Sequence, residues 1–502
     1  MKYILIIILF NLVVKFSLAQ SGFSRLYDFD RPVSSFVNMI GNEDTLELFG
    51  VIFHDSIPNR QGFLFAQIDT NGNVLKYSTY FDSLGDDLTA RFSNSITKLR
   101  NNEGYAMVGQ LLARANGILL LVDNEGNQIA IKEYPDNTSL VDYFEKIVQT
   151  ESGFLIFGGK QRSDFQLDAF VLGTDKDGNK LWEKYFDSPG RQWFINSVYP
   201  VDNNTYVLGI STTSPSNANL SNLKIQTIIF AIDSLGNEQW RWESPLGLEE
   251  GGAVSLHRRP DNSWIYLSAR VDISPSQDYF TSQPKIIARD ENFNLLWEKT
   301  VGWSTSPENY FTSLLETFDG NWVAAGTILS PSTSNTHSGL TYKVSNSGDS
   351  IWSRLDTVLY HENNYTSHIL SGAIELTSKS LIFCGTVIDY AIPTKTWAWL
   401  IKMSPDGCIE NVNCTPLSES SVVTAQITMF PNPTNSFLYF ENNGLTGWWD
   451  NVEIRTLEGK IAKRVEEFTD DPINVGTLSS GAYFVYLFQQ RKTVAIKLLI
   501  KE

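Results

Sequence analysis

A chain of 502 residues, 42% hydrophobic and 13% aromatic, has material for more than one core and does not have the composition of a disordered polypeptide. Its formal charge of −17 and pI near 4.8 exclude the basic surface that nucleic acid demands. Three cysteines and five scattered histidines offer too few ligands for a structural zinc site.

The first 19 residues read as a signal peptide. Lys2 supplies the positive start, residues 4–14 the apolar segment, and Ser17-Leu18-Ala19 the small residues before a cleavage point. No later stretch approaches the roughly 18 apolar residues of a transmembrane helix, so the mature chain is expected to be exported without a transmembrane segment.

From residue 20 to about 415 the chain repeats. One turn recurs as "DTNGN" at Asp69, "DNEGN" at Asp123, "DKDGN" at Asp175, "DSLGN" at Asp233, "DENFN" at Asp290, "SNSGD" at Ser345 and "SPDGC" at Ser404. The first side chain can bond the backbone two residues on, and the glycine takes a positive φ. Where Phe293 replaces glycine, Asn292 or Asn294 is expected to carry that φ. Asp175 and Asp177 lack the further oxygens and terminal Glu of an EF-type calcium loop, so a turn is the reading there. Four positions after the glycine site stand Trp182, Trp240, Trp297 and Trp352, expected to be buried between neighbouring repeats.

A second series runs in phase: "EDTLELFG" to Gly50, "EGYAMVG" to Gly109, "SGFLIFG" to Gly158, "NNTYVLG" to Gly209, "GNWVAAG" to Gly326 and "KSLIFCG" to Gly385. With a further strand between the two series, each unit holds four short strands in about 55 residues, the content of a propeller blade. The fold class predicted is therefore all-β: a seven-bladed β-propeller over 20–415, then a small C-terminal immunoglobulin-like β-sandwich. "FSRLYDF", residues 23–29, has a post-turn strand pattern but no turn before it, so it is expected to complete the last blade.

The "D-x-x-G-N-x-x-W" turn and the strand ending in Gly resemble the quinoprotein-like and delta-sixty-type propeller repeats of exported Bacteroidetes proteins. Quinone-binding members of that superfamily have eight blades and defined cofactor residues that find no match here, so no cofactor is expected. Cys408 and Cys414 could close a short disulfide loop, with Cys384 left as a buried thiol. The stretches 211–224, 272–284 and 329–339 read as loops at one place in successive repeats, with Tyr279 and Phe280 as candidate ligand contacts.

Residues 416–425 read as a polar linker, and 426–502 as a separate domain of short strands. Pro431-Asn432-Pro433, the Leu457 to Lys460 turn containing Gly459, Leu478 with Gly481 and Tyr483, and the terminal Lys497 to Lys501 follow in that order. This series resembles the type A C-terminal sorting domain of type IX secretion. The resemblance implies passage through the periplasm, recognition by the type IX machinery, and removal by a sortase-like peptidase cutting in the linker. Release or attachment at the cell surface would follow.

Motifs for zinc hydrolysis, serine hydrolysis and phosphate binding are missing from the sequence. His54-Asp55 and His361-Glu362 set a base beside a carboxylate, but neighbours on a strand face opposite ways. The leading expectation is a non-catalytic binding protein for a surface ligand, glycan or protein. The alternative is an exported glycan-active enzyme on the same fold.

Overall fold

The computed structural model describes residues 22–409 and 427–501, apart from 42–43, 58, 91–94, 136–140, 163–165, 188–189, 215–221, 275–278, 303–307, 330–335, 362–363, 392–394, 443–450, 457–459, 467–471 and 490–491. The predicted signal peptide, the linker 416–425, Cys414 and Gly459 lie outside the described residues. Regular structure among the described residues is strand, apart from one 3₁₀ turn at Arg100–Asn102.

The sheets follow the sequence repeats. Four antiparallel strands in sequential order make each of the sheets over 34–80, 141–186, 192–243 and 254–300. A fifth, over 88–134, has its first strand split into Leu88–Thr89 and Ile96–Lys98, both pairing with Tyr105–Leu111. The groups over 310–356 and 366–403 are joined by a short parallel contact of Thr336 with Thr366 and His337 with Ser367. First strands lie side by side: Ser34–Gly41 touches Ile96–Lys98 and Thr366–Glu375. Ile96–Lys98 touches Val141–Gln149, followed in turn by Gln192–Pro200, Val254–Arg258, Tyr310–Glu316 and Thr366–Glu375.

The second series of glycines has a steric cause. A bulge at Phe144/Lys146 pushes the first strand onto its neighbour, and a Cβ on Gly158 would meet the Tyr143 carbonyl at 1.9 Å. The same collision recurs at Gly50, Gly326 and Gly385, each opposite a first-strand carbonyl.

The recurrent turn is held by its own side chains. Asp175 Oδ1 accepts from the amides of Asp177 at 3.0 Å and Asn179 at 2.7 Å, and the Asn179 side chain donates to Oδ2 at 2.8 Å. These bonds, led by the Asn179 side chain, hold the Asp175 carboxyl below the usual carboxylate range. Asp69, Asp123, Asp233 and Asp290 repeat the arrangement.

Phe293 departs from the expectation: it takes the positive φ itself, at 63°. Its ring is stacked at 5.2 Å on Trp242 and 6.0 Å on Trp264, with Trp240 at 5.5 Å, so burial of the ring offsets the backbone strain.

Each tryptophan of the series covers the glycine site of the next repeat's turn. Trp182 lies over Gly236, Trp240 against Phe293, Trp297 over Gly348 and Trp352 over Gly407. The indole N–H groups of Trp297 and Trp352 donate to the carbonyls of Asn346 at 3.2 Å and Pro405 at 3.1 Å. Their burial is graded, contrary to the expectation that all four are buried. Trp352 is 3% exposed, Trp182 and Trp297 are intermediate, and Trp240 is 37% exposed. All four sit on the last strand of a sheet, with no further strand of that sheet beyond them among the described residues.

Phe23–Tyr27 pairs antiparallel with Lys395–Met403, from Phe23 opposite Lys402 to Tyr27 opposite Ala398. The strand stops at Tyr27, short of the expected Phe29, because Phe29 and Asp30 both turn at positive φ. Phe23 occupies the place of the tryptophans, with its ring over Gly72, and Tyr27 Oη donates to the Gly72 carbonyl at 2.9 Å. Gly22 abuts the Ile409 carbonyl, so the two ends of this region meet.

Strands within 427–501 make a three-stranded and a four-stranded sheet. Their core of Leu438, Val452, Ile454, Val485, Leu487 and Leu499 comes from this segment alone.

Truncating the buried Trp352 to Ala is expected to cost about 3 kcal/mol. Trp240→Ala, already partly in water, is expected to cost roughly 1 kcal/mol by the area lost. Urea unfolding of the two variants against the parent checks the order.

Candidate functional sites

In a four-stranded antiparallel sheet, the link between strands two and three leaves at the end opposite the Asp-type turns. The link to the next sheet leaves at that end too. Where the 310–356 and 366–403 groups are joined, these links assemble an aromatic corner. Tyr365 Oη donates to Glu308 Oε2 at 2.6 Å and also meets His337 Nδ1. The Tyr390 ring packs edge-on against Tyr365 at 5.0 Å and is 54% exposed. Asn309, fully buried, fixes the approach by accepting the Leu329 amide at 2.7 Å.

Burial, reinforced by the hydrogen bond to Glu308, pushes the Tyr365 phenol far above its ordinary range. Burial also pushes Tyr310 up to about 12, with the Glu308 charge adding to it. Both phenols therefore stay protonated at neutral pH and act as hydrogen-bond donors, not nucleophiles.

Below them, His368 is fully buried. Its Nδ1 donates to the His337 carbonyl at 2.7 Å, while Nε2 accepts from the amides of Val358 and Leu359, each at 3.2 Å. Those amides demand a neutral ring, and burial holds its pKa down at about 4. Chemically the corner offers phenol donors, a carboxylate acceptor and exposed ring faces.

The residues singled out in the sequence fall elsewhere. Much of the expected loop 272–284 is paired strand, with Asp272 opposite Thr281 and Ile273 opposite Phe280. Tyr279 is 59% exposed at that hairpin, and its carbonyl accepts the Ser274 amide at 3.0 Å, so its backbone pins the link. Phe280 is half-buried.

His54 is not on a strand, so the opposite-faces argument does not apply: its Nδ1 lies 2.9 Å from Asp55 and accepts the Ser56 and Ile57 amides. His361 Nε2 meets Asp389 Oδ2 at 3.0 Å. Cys384 is a buried free thiol and Cys408 is disulfide-bonded.

The tail gathers its sequence signals around one strand. Asn432 Oδ1 accepts the Ile500 amide at 2.8 Å, between the exposed Pro431 and Pro433. Gly481 pairs with Lys501, Tyr483 with Leu499, and Val485 with Lys497. Tyr483 Oη donates to the Ser479 carbonyl at 2.9 Å, and Leu478 packs against the core.

Residues 428–501 match the family described as "Secretion system C-terminal sorting domain". A type IX sorting domain is thus present, and it marks the chain for secretion or cell-surface attachment. No curated protein matches the chain.

Among solved structures, an α-L-arabinofuranosidase from Fusarium graminearum, with an iminosugar inhibitor, is 13% identical with a TM-score of 0.42 and covers 78% of this chain and 99% of its own. An α-L-arabinanase from Penicillium chrysogenum, with arabinobiose, is 10% identical with a TM-score of 0.38 and covers 77% and 99%. Drosophila Plexin A in complex with Semaphorin 1b is 8% identical with a TM-score of 0.40 and covers 77% and 86%. The described residues form antiparallel sheets of short strands almost throughout. At these values the likeness says nothing of what this chain binds or cleaves.

His368 predicts a pH dependence. Its folded pKa of about 4 lies below the roughly 6.5 of an unfolded histidine, so between those values the native state holds fewer protons. Its stability contribution is whole above the unfolded pKa and is lost as pH falls towards the folded one. His257, half-buried and held by desolvation at about 4, adds with the same sign. Each is expected to remove up to about 3 kcal/mol between pH 7 and pH 4. His368→Gln, which can keep a donor and an acceptor in place, is expected to flatten that slope in urea titrations.

Proposed function

We propose that this is an exported binding protein, released or held at the cell surface, whose residues 20–415 close into a seven-bladed β-propeller. Three observations support the ring: the pairing of Phe23–Tyr27 with Lys395–Met403, the side-by-side series of first strands, and the ring-on-turn contacts that include Phe23 over Gly72. On this reading residues 1–19 are the signal peptide and Cys408 pairs with Cys414 where the chain leaves the ring. Residues 426–502 form an immunoglobulin-like sandwich read by the type IX machinery, and a sortase-like peptidase cuts in the linker 416–425.

The corner of Tyr310, Tyr365, Tyr390 and Glu308 carries the binding reading. Protonated phenols beside a carboxylate acceptor and an exposed ring suit the hydroxyl groups and C–H faces of a glycan, or a polar protein surface. The rival, a glycan-active enzyme, rests on Glu308 and Asp389 being carboxylates of one corner. Both are engaged as acceptors, Glu308 from the Tyr365 hydroxyl at 2.6 Å and Asp389 from the Ala391 amide at 2.8 Å.

Screening the full chain against a glycan array is expected to give ligands bound without turnover. Tyr365→Phe and Tyr390→Ala should each weaken them about tenfold. Release of reducing sugar that disappears in Glu308→Gln would establish the enzyme instead.

Deleting 493–502 is expected to leave the propeller folded and strand the protein in the periplasm. Its appearance at the cell surface in cell fractionation would remove the sorting role from this domain.

A further inference from the structure

A cavity of about 300 Å³ opens between the sheets over 88–134 and 141–186. None of the tyrosine-corner residues lines it. Tyr134 bridges the two sheets there, donating to the Gly178 carbonyl at 2.6 Å.

The lining carries three ammonium groups, Lys132, Lys160 and Lys180, and three carboxylates, Glu133, Asp142 and Glu183. Lys180 meets Glu183 at 2.8 Å, Lys160 lies 4.0 Å from Asp142, and Lys132 donates to Asn179 Oδ1 at 3.1 Å. Glu133 accepts from Arg114 Nε at 3.0 Å. Lys160 also donates to Tyr185 Oη at 2.7 Å, and the Lys160 and Asp142 side chains are each 7% exposed.

One wall is apolar. Phe144 lies between Tyr134, at 5.2 Å, and Phe170, at 5.6 Å, with Leu172 completing it.

Those features select a ligand class. The lining charges sum to zero, so a charged ligand would add an uncompensated charge beside the buried Lys160 and Asp142. A neutral polyol adds none. Its hydroxyls can accept from the ammonium groups and donate to the carboxylates, while its C–H face lies on the aromatic wall. The volume sits at the small end of ligand cavities, which limits the guest to one ring and excludes a polymer segment. We propose that this inter-sheet cavity binds a single neutral sugar ring, at a site separate from the tyrosine corner.

Isothermal titration of the full chain with glucose, galactose and mannose tests it, with glucuronate and glucosamine as charged counterparts. The expected result is millimolar binding of at least one neutral hexose. Its charged counterparts should bind at least about tenfold more weakly.

Glu183→Gln, at the partly exposed mouth, leaves the lining with one net positive charge. It should weaken the neutral sugar about tenfold and shift preference towards glucuronate, which loss of packing alone would not do. Lys160→Met should abolish binding. Lys160 is buried, so its thermal unfolding is compared with the parent first, and Glu183→Gln decides the matter if that variant unfolds. Tyr365→Phe should leave this binding unchanged.

The proposal is overturned if no neutral hexose binds, if charged and neutral sugars bind alike, or if Glu183→Gln shifts neither affinity nor preference. A weakening by Tyr365→Phe equal to that of Glu183→Gln would assign the sugar to the corner and overturn it too.

Discussion

Strand Phe23–Tyr27 pairs with no strand of the repeat that follows it, among the described residues, and pairs instead with Lys395–Met403. The rest of the large region depends on that pairing. Without it Lys395–Met403 would be an open edge, Gly72 would lose the ring that covers it, and the contact between the first and last sheets would thin. Arg25 strengthens the same seam, donating to the Gly72 carbonyl at 3.0 Å. Arg354 does likewise to Gly407 at 3.4 Å, so the seam is built like an ordinary joint between repeats. The cost is kinetic, because such a distant pairing forms only after most of the chain has been threaded.

What was legible in the sequence was mostly local. The turn could be read because Asp175 and Asn179 lie four residues apart and satisfy each other and the backbone between them. The N-terminal strand could be assigned to the last repeat because the turn that should precede it was missing. Neither the grading of tryptophan burial nor the φ of Phe293 could be read, since both depend on which neighbour lies across the sheet gap. The three tryptophans around Phe293 come from two strands of neighbouring sheets, Glu238–Glu243 and Trp264–Ile273.

The tyrosine corner escaped for the same reason. Glu308, Tyr365 and Tyr390 lie in three connections and His337 at the start of a strand, and the parallel contact between Thr336 and Thr366 that draws them together has no local signature. Glu308 and Tyr365 each stand shortly before a first strand, Tyr310–Glu316 and Thr366–Glu375, but the registers set Tyr310 level with Ile369 and not with Tyr365. Tyr279 stands out in the sequence instead, as an aromatic in a polar stretch. In the tail, motifs are scattered over some seventy residues of the sequence, and three of them, Asn432, Gly481 and Tyr483, meet along Lys492–Lys501.

Hydrogen exchange of the full chain, read amide by amide, tests the dependence on the N-terminal strand most directly. Amides of Ser24 to Tyr27 are predicted to exchange as slowly as those of Lys395–Met403, both opening with the whole region of sheets. Fast exchange of the N-terminal strand, with Lys395–Met403 and the 34–80 sheet still protected, would contradict the account. The first strand would then be a frayed end, and the region would hold without it.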